Sequence, residues 1–238
     1  MRFDEKESYV FEIANKNELI DNLSREFFTK DCTVLVRFTP DFDSMEEKLD
    51  EHNRYVGCVV GRNGHHMGVM TEAHITPDGS KYRSVGFEYW VNVEDGIDIR
   101  QVQFKVPEDQ YGKPIEFIVK RRDNTFIVEY NGEIKQADCT ALADYSFSML
   151  WIGAANKIVE DHNHVFLGDI DILHLQETYL DDEYCKLFFT DFNKFLKTIT
   201  SDNVPIFTGN FEDVTPYKIK DLSGNGNHPI IFRKEWMM

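Results

Sequence analysis

The sequence predicts an all-β fold: an antiparallel β-sandwich followed by a C-terminal amphipathic helix and a returning β tail. Three observations carry this. Short β-branched and aromatic runs recur about every 10–15 residues, separated by Gly, Asn and Asp, a spacing that argues against βαβ units. Apolar steps of three and four residues, the mark of a helix face, stand out over 179–200. Beyond them the chain returns to short strand-like pieces around a glycine and asparagine turn.

The strands are expected in the following order. CTVLVRFTP (32–40) is β-branched and apolar. YVGCVVGR (55–62) and MGVMTEAHI (67–75) flank the turn residues Asn63 and Gly64. VGFEYWVNV (85–93) and IDIRQVQFKV (97–106) alternate. IEFIVKRR (115–122) and TFIVEYNGEIK (125–135) are joined by Asp123 and Asn124. Asn131 and Gly132 then suit a hairpin turn that needs φ > 0. SMLWIGAA (148–155), with Trp151 expected in the core, and HVFLGDIDILHL (164–175) complete the set. By simple alternation, Phe166, Ile170 and Ile172 share one face of the last strand, and Asp169, Asp171 and Leu173 share the other.

The helix over 179–200 is expected to bury Tyr184, Phe188, Phe192, Phe195 and Ile199 against the sandwich, with Asp181 or Asp182 capping its start. The tail holds two strand-like pieces around DLSGNGNH (221–228). The expected division is a sandwich over 1–178, a packed helix over 179–200 and a tail over 201–238 completing the same domain.

Bulk properties narrow the function. A formal net charge of -16, from 42 acidic and 26 basic residues, argues against nucleic-acid binding and favours cations such as calcium. Cys32, Cys58, Cys139 and Cys185 form no CxxC motif and read as buried thiols. The N-terminal residues carry acids and no apolar core of a signal peptide, and no window matches the ~20 apolar residues of a membrane span. Cytoplasmic synthesis is therefore expected, with no membrane insertion, and release within a virus particle is one route out.

The order of features over 115–187 resembles the closing half of laminin-G-like, concanavalin A-like jelly rolls. The matching pieces are TFIVEYNG (Tyr130, Asn131, Gly132), LWIGAA (Ile152, Gly153), FLGDIDILHL (Phe166, Gly168, Ile170, Asp171, Leu173) and YLDDEYCKL (Leu180, Glu183, Leu187). CTVLVRFTP is similar to an earlier family strand, with Arg37 or Phe38 where that strand carries Trp. The resemblance implies a jelly roll of two stacked sheets, one of them often concave and able to take a ligand. It also implies that DLSGNGNH, which opens such domains elsewhere, comes last here. The tail then either fills the slot of the first hairpin or begins a second, truncated unit.

This frame is compatible with several chemistries, which the residues separate. Laminarinase-type glucanases on the same fold carry E-x-D-x-E along one strand, with two carboxyl groups ~5–5.5 Å apart. The register here is Asp169, Asp171, Leu173, so the acid/base position is not an acid. His65 and His66 are adjacent and would point apart on a strand, whereas His162 and His164 stand at i, i+2 near Glu160 and Asp161. No phosphate loop and no G-x-S-x-G elbow is present. The resemblance and the clustered oxygens nominate Asp221, Asn225 and Asn227, or Glu94, Asp95 and Asp98, as calcium ligands. Tyr89 and Trp90 beside Asn92, together with Tyr111, are the candidate sugar contacts, one of Tyr89 and Trp90 being exposed by alternation. The expected function is a non-catalytic carbohydrate-binding or adhesion module, a phage virion surface component, with a glycan or cell-surface polysaccharide as partner. The alternatives are a structural virion or assembly protein that contacts other virion proteins and, third, a glycoside hydrolase.

Overall fold

The computed structural model describes residues 2–3, 10–12, 27–62, 67–143, 150–153, 164–199, 205–211, 219–226 and 230–232. In chain order the elements are β1 (Arg2–Phe3), β2 (Val10–Glu12), β3 (Cys32–Pro40), α1 (Phe42–Glu46), β4 (Arg54–Arg62), β5 (Met67–Ile75), β6 (Lys81–Val93) and β7 (Gly96–Lys105). There follow β8 (Ile115–Arg122), β9 (Thr125–Tyr130), β10 (Glu133–Asp138), β11 (Leu150–Ile152), β12 (His164–Val165) and β13 (Gly168–Gln176). The described chain closes with α2 (Asp182–Thr190), α3 (Phe192–Thr198), β14 (Pro205–Asn210) and β15 (Ile230–Phe232).

These strands stack as two sheets, a jelly-roll type of β-sandwich. The first sheet runs β1-β13-β3-β8-β9-β10, with β14 also on β13. The second runs β15-β2-β11-β4-β5-β6-β7, with β12 on β4. Pairing is antiparallel except between β12 and β4. Alternation on each strand sends one set of apolar side chains inward. Val34, Val36, Phe38 and Phe117 of the first sheet meet Val69, Phe87 and Phe104 of the second in one buried core. Edge-to-face rings lock the layers, with Phe104 and Phe117 centroids 6.0 Å apart and Phe87 and Phe126 4.7 Å apart. All four cysteines are free and buried. Burial pushes the Cys185 thiol up to about 12.

The structure corrects the face assignment on β13. Ile170 opposes Phe38 and Ile172 opposes Arg37, so Asp171 is the additional residue of a β-bulge. The bulge inverts the alternation. Ile170, Leu173 and Leu175 enter the sandwich core, while Ile172 faces outward. Asp171 and Leu173 therefore do not share a regular face, and Leu173 is fully buried.

The expected single helix is two. Asp191 leaves helical geometry at φ -151°, and its side chain accepts a hydrogen bond from the Lys194 backbone N–H at 3.0 Å. Asp competes for backbone donors in this way, which ends one helix and starts the next. The buried stripe is Leu180, Cys185, Phe188 and Phe195, packed on Leu35, Ile118 and Ile172 of the first sheet. Tyr184, expected in that stripe, is 42% exposed. Asp181 makes no side-chain cap, and Asp182 instead pairs with the buried Lys120 ammonium.

Both tail strands are strands of the sandwich. β14 pairs with β13 from Ile172↔Asn210 to Gln176↔Pro205, and β15 pairs with β2. β1 occupies the other half of the same β13 edge, through Arg2↔Asp169 and Phe3↔Gly168. Ile206, Phe207, Phe211 and Ile219 join the main core.

Candidate functional site

The two sheets differ on their outer faces. The helix pair covers the first, whereas the second presents a row of polar side chains across β4, β5, β6 and β7. The register builds this row. Val85, Phe87, Tyr89 and Val91 of β6 are core residues, so Ser84, Gly86, Glu88, Trp90 and Asn92 face out. Across the ladder, Ser84 opposes Glu72 of β5 and Lys105 of β7, and Glu88 opposes Gly68 and Gln101. Val56 and Arg54 of β4 oppose Glu72 and His74.

Hydrogen bonds tie the row into one chain. Arg54 forks onto the Glu72 carboxylate, Nε to Oε1 at 2.9 Å and Nη2 to Oε2 at 3.2 Å. Gln103 Nε2 donates to Glu72 Oε2 and to Gln101 Oε1, both at 2.8 Å. Gln101 Nε2 donates to Glu88 Oε2 at 2.7 Å. Burial raises the Glu88 carboxyl above the usual range, against the Gln101 hydrogen bond that acts to lower it. Between these groups lies a shallow depression with room for about one water molecule, lined by Val56, Met70, Glu72, Ser84, Glu88 and Gln103 among others. Ser84 is 1% exposed, and its hydroxyl has no hydrogen-bond partner among the described residues. At one end of the row Trp90 is half-buried opposite Ile99, which is 51% exposed, and Asn92 opposes the exposed Ile97.

Only part of the predicted sugar set comes together. Trp90 and Asn92 share the outer face. Tyr89 is a core residue, its ring stacked on Phe87 at 5.9 Å and its hydroxyl donating to the Asp138 carbonyl at 3.2 Å, so it is no platform. Tyr111 sits at the other end of β6. There the Arg83 guanidinium lies over its ring at 4.2 Å, held by Glu46 and Asp43, and Phe42 packs beside it. Arg83 and Trp90 are seven strand residues apart, which is about 23 Å.

The two proposed calcium sets have structural partners of their own. Asp221 is buried; its Oδ1 accepts from the backbone N–H groups of Thr208 (3.2 Å) and Ser223 (2.9 Å), and its Oδ2 from the Ser223 hydroxyl (2.8 Å). Asn225 donates its side-chain amide to the Pro205 carbonyl. Asn227 lies outside the described residues, as do His65, His66, His162 and the acids beside it, and the His164 side chain. Glu94 and Asp95 form the exposed turn between β6 and β7, and Asp98 pairs with Arg100 at 2.6 Å. Among the described residues no three His, Cys, Asp or Glu side chains cluster as metal ligands.

Arg54, Glu72, Ser84, Glu88, Gln101 and Gln103 were not singled out from sequence. The signal available for them is polar residues at i, i+2 spacing on strands whose alternate positions are apolar, as at Gln101 and Gln103 around Val102. Which strands lie side by side, and so which polar pairs meet, is a matter of sheet order.

No family model and no curated protein sequence matches the chain. Several solved structures are similar in strand arrangement. Alginate lyase A1-II', a member of polysaccharide lyase family 7, aligns with TM-score 0.40 and 9% identity over 63% of this chain and 63% of the lyase. This chain thus spans less than two thirds of the lyase's length. Congerin II liganded with lactose and MES aligns with TM-score 0.34 and 10% identity over 61% of this chain and 90% of congerin. Domains LG4-5 of the mouse laminin alpha1 chain align with TM-score 0.37 and 14% identity over 64% of this chain and 36% of that one.

Proposed function

We propose that the outer face of the second sheet is a non-catalytic carbohydrate-binding surface used in adhesion. One observation carries this reading: Trp90 lies at the end of a hydrogen-bonded row of Glu88, Gln101, Gln103, Glu72 and Arg54. A sugar has an apolar C–H face and a belt of hydroxyls. An indole face suits the first, and carboxylate and carboxamide groups suit the second. The row is preorganised, since its side chains already hold one another, and little rotamer freedom is lost on binding. The non-catalytic part is supported by β13, where the bulge at Asp171 and the burial of Leu173 leave no second carboxyl group in the glucanase register.

The test is binding of the full chain to a glycan array, followed by titration of the best ligand against the Trp90→Ala variant. The variant is expected to bind about 10-fold more weakly, a loss of about 1.4 kcal/mol, while circular dichroism shows it still folded. Array-wide silence together with a stable protein complex would favour the second reading, a structural or assembly protein. That reading has its own observation in Val93, Ile97 and Ile99, an apolar group exposed at 42%, 42% and 51% around the β6–β7 turn. Turnover of a β-glucan would overturn the non-catalytic assignment.

A further inference from the structure

The second sheet ends on β7, and the phase of that strand can be read from its neighbours. The Val106 N–H donates to the Arg83 carbonyl at 2.9 Å, in register with the β6–β7 ladder. Hydrogen-bonded pairs alternate along an antiparallel ladder, so Phe104, Val102, Arg100 and Asp98 turn their backbone groups toward β6. Those of Ile97, Ile99, Gln101 and Gln103 point to the outer edge. Gln103 agrees with this phase, since its carbonyl accepts from the Lys135 ammonium of β10 at 2.7 Å. Among the described residues, no strand pairs with this edge over residues 97–101.

We propose that a second copy of the chain pairs here, antiparallel and two-fold symmetric about Ile99, joining two second sheets into one continuous sheet. A two-fold contact between identical strands needs a register in which outward groups meet outward groups. With Ile99 on the axis, Ile99 meets its own counterpart and Ile97 meets Gln101. The pair between them sets Asp98 of each copy opposite Arg100 of the other, so symmetry forms the opposite-charge pair twice. Within one chain these two side chains already lie 2.6 Å apart, and both are about half exposed. Other registers fit less well. An axis at Gln101 puts Ile99 opposite Gln103, whose carbonyl Lys135 already holds. An axis at Ile97 runs into the β6–β7 turn.

The surface around the axis suits a second copy. Ile99 is 51% exposed beside Trp90, and pairing covers it with the other Ile99. Both outer faces then look the same way, with the two Trp90 side chains flanking the isoleucine pair. Edge strands that stay single are commonly guarded by lysine or proline, and here Lys135 guards the edge only at Gln103. The formal net charge of -16 opposes association of two copies. The paired segment adds nothing to that repulsion, because Asp98 and Arg100 are its only charged residues. Just beyond it, Glu94 and Asp95 of one copy approach Lys105 and Lys135 of the other. The contact is smaller than the ~800 Å² per partner of a standard interface, so the dimer is a concentration-dependent one. It is independent of what the outer face binds.

Sedimentation equilibrium of the full chain over a concentration series is expected to show the mass rising from one chain toward two. Arg100→Asp leaves Asp98 facing a like charge in both copies and is expected to weaken association about 10-fold or more. Adding Asp98→Arg to that variant is expected to restore it. Ile99→Cys is expected to oxidise to a disulfide-linked dimer, because the paired Cα atoms stand about 5.5 Å apart on the axis. Ile97→Cys, which faces Gln101 of the other copy, is expected not to; the native cysteines are buried. A single-chain mass at every concentration overturns the proposal. So does a dimer that ignores the charge exchange, one cross-linked by Ile97→Cys and not by Ile99→Cys, or one lost in Ile134→Lys on the β10 edge, where Ile134 is 57% exposed. Circular dichroism of each variant separates loss of the dimer from loss of the fold.

Discussion

His174 shows how one residue can carry pH dependence for the fold. It lies on the first sheet under the helix pair, fully buried, with its ring 5.0 Å from Phe195 and 6.2 Å from Phe188. Nδ1 meets the Thr208 hydroxyl at 2.8 Å and Nε2 the Gln176 side-chain oxygen at 3.1 Å. Burial depresses its pKa to about 4, although the Gln176 hydrogen bond and the nearby Asp221 carboxylate both favour the proton. An unfolded histidine takes up a proton near pH 6.5. Between that pH and about 4 the unfolded chain holds more protons than the folded one, so stability falls as pH falls through this window. Below it, the contribution of this group is constant. The loss is about 3 kcal/mol at 1.36 kcal/mol per unit. Urea unfolding at pH 7 and pH 4.5 checks this, and the loss is expected to be smaller by about 2 kcal/mol in His174→Gln than in the unaltered chain. An equal loss in both would remove His174 as the cause. Leu173 and Leu175 on either side enter the core, so His174 faces outward, and its burial by Phe188 and Phe195 of the helices is not legible from the strand alone. Thr208 is 34 residues away on another strand, and only the folded sheet places it beside the ring.

At the scale of elements, strand identity was legible and local phase was not. The runs at 32–40, 55–62 and 67–75 coincide with β3, β4 and β5, because β-branched alternation bounded by turn residues is a strong local signal. The bulge at Asp171 has no such signal. One additional residue inverts every later side chain, which is why Ile172 lies under the helices and Leu173 in the core. The same limit explains Tyr89 and Trp90, where alternation demanded that one be buried but the sheet decided which. The helix break is a second local event. Asp191 caps α3 through Lys194, and Phe188 of α2 and Phe195 of α3 meet with centroids 5.1 Å apart across the break. Removing the cap with Asp191→Ala is expected to cost about 1 kcal/mol. A drop in the urea midpoint with an unchanged slope checks it. No change would mean that ring packing alone sets the break.

For the whole molecule, the two ends of the chain are woven into the sandwich. β1 and β14 divide one edge of β13, and β2 lies between β11 and β15 in the opposite sheet. The expectation of a tail completing the domain came from the misplaced DLSGNGNH, and the physical reason for its position is visible in Asp221. That residue bonds the backbone of Thr208 on β14 and of Ser223 in its own turn, which pins the turn to the first sheet. The tail also supplies Ile206, Phe207, Phe211 and Ile219 to the shared core. Truncating a large buried apolar side chain of this kind costs about 2–5 kcal/mol, and a domain's whole stability is only about 5–15 kcal/mol. Removing residues 201–238 therefore takes away more than a peripheral ornament. The shortened chain is expected to lose its cooperative thermal transition, with Leu175 and its core neighbours exposed along the vacated edge of β13. Calorimetry on the full and shortened chains decides the matter. A shortened chain that melts cooperatively at the original temperature would make the tail the start of a separate unit. Loss of the transition would make the sandwich, helix pair and tail a single folding unit.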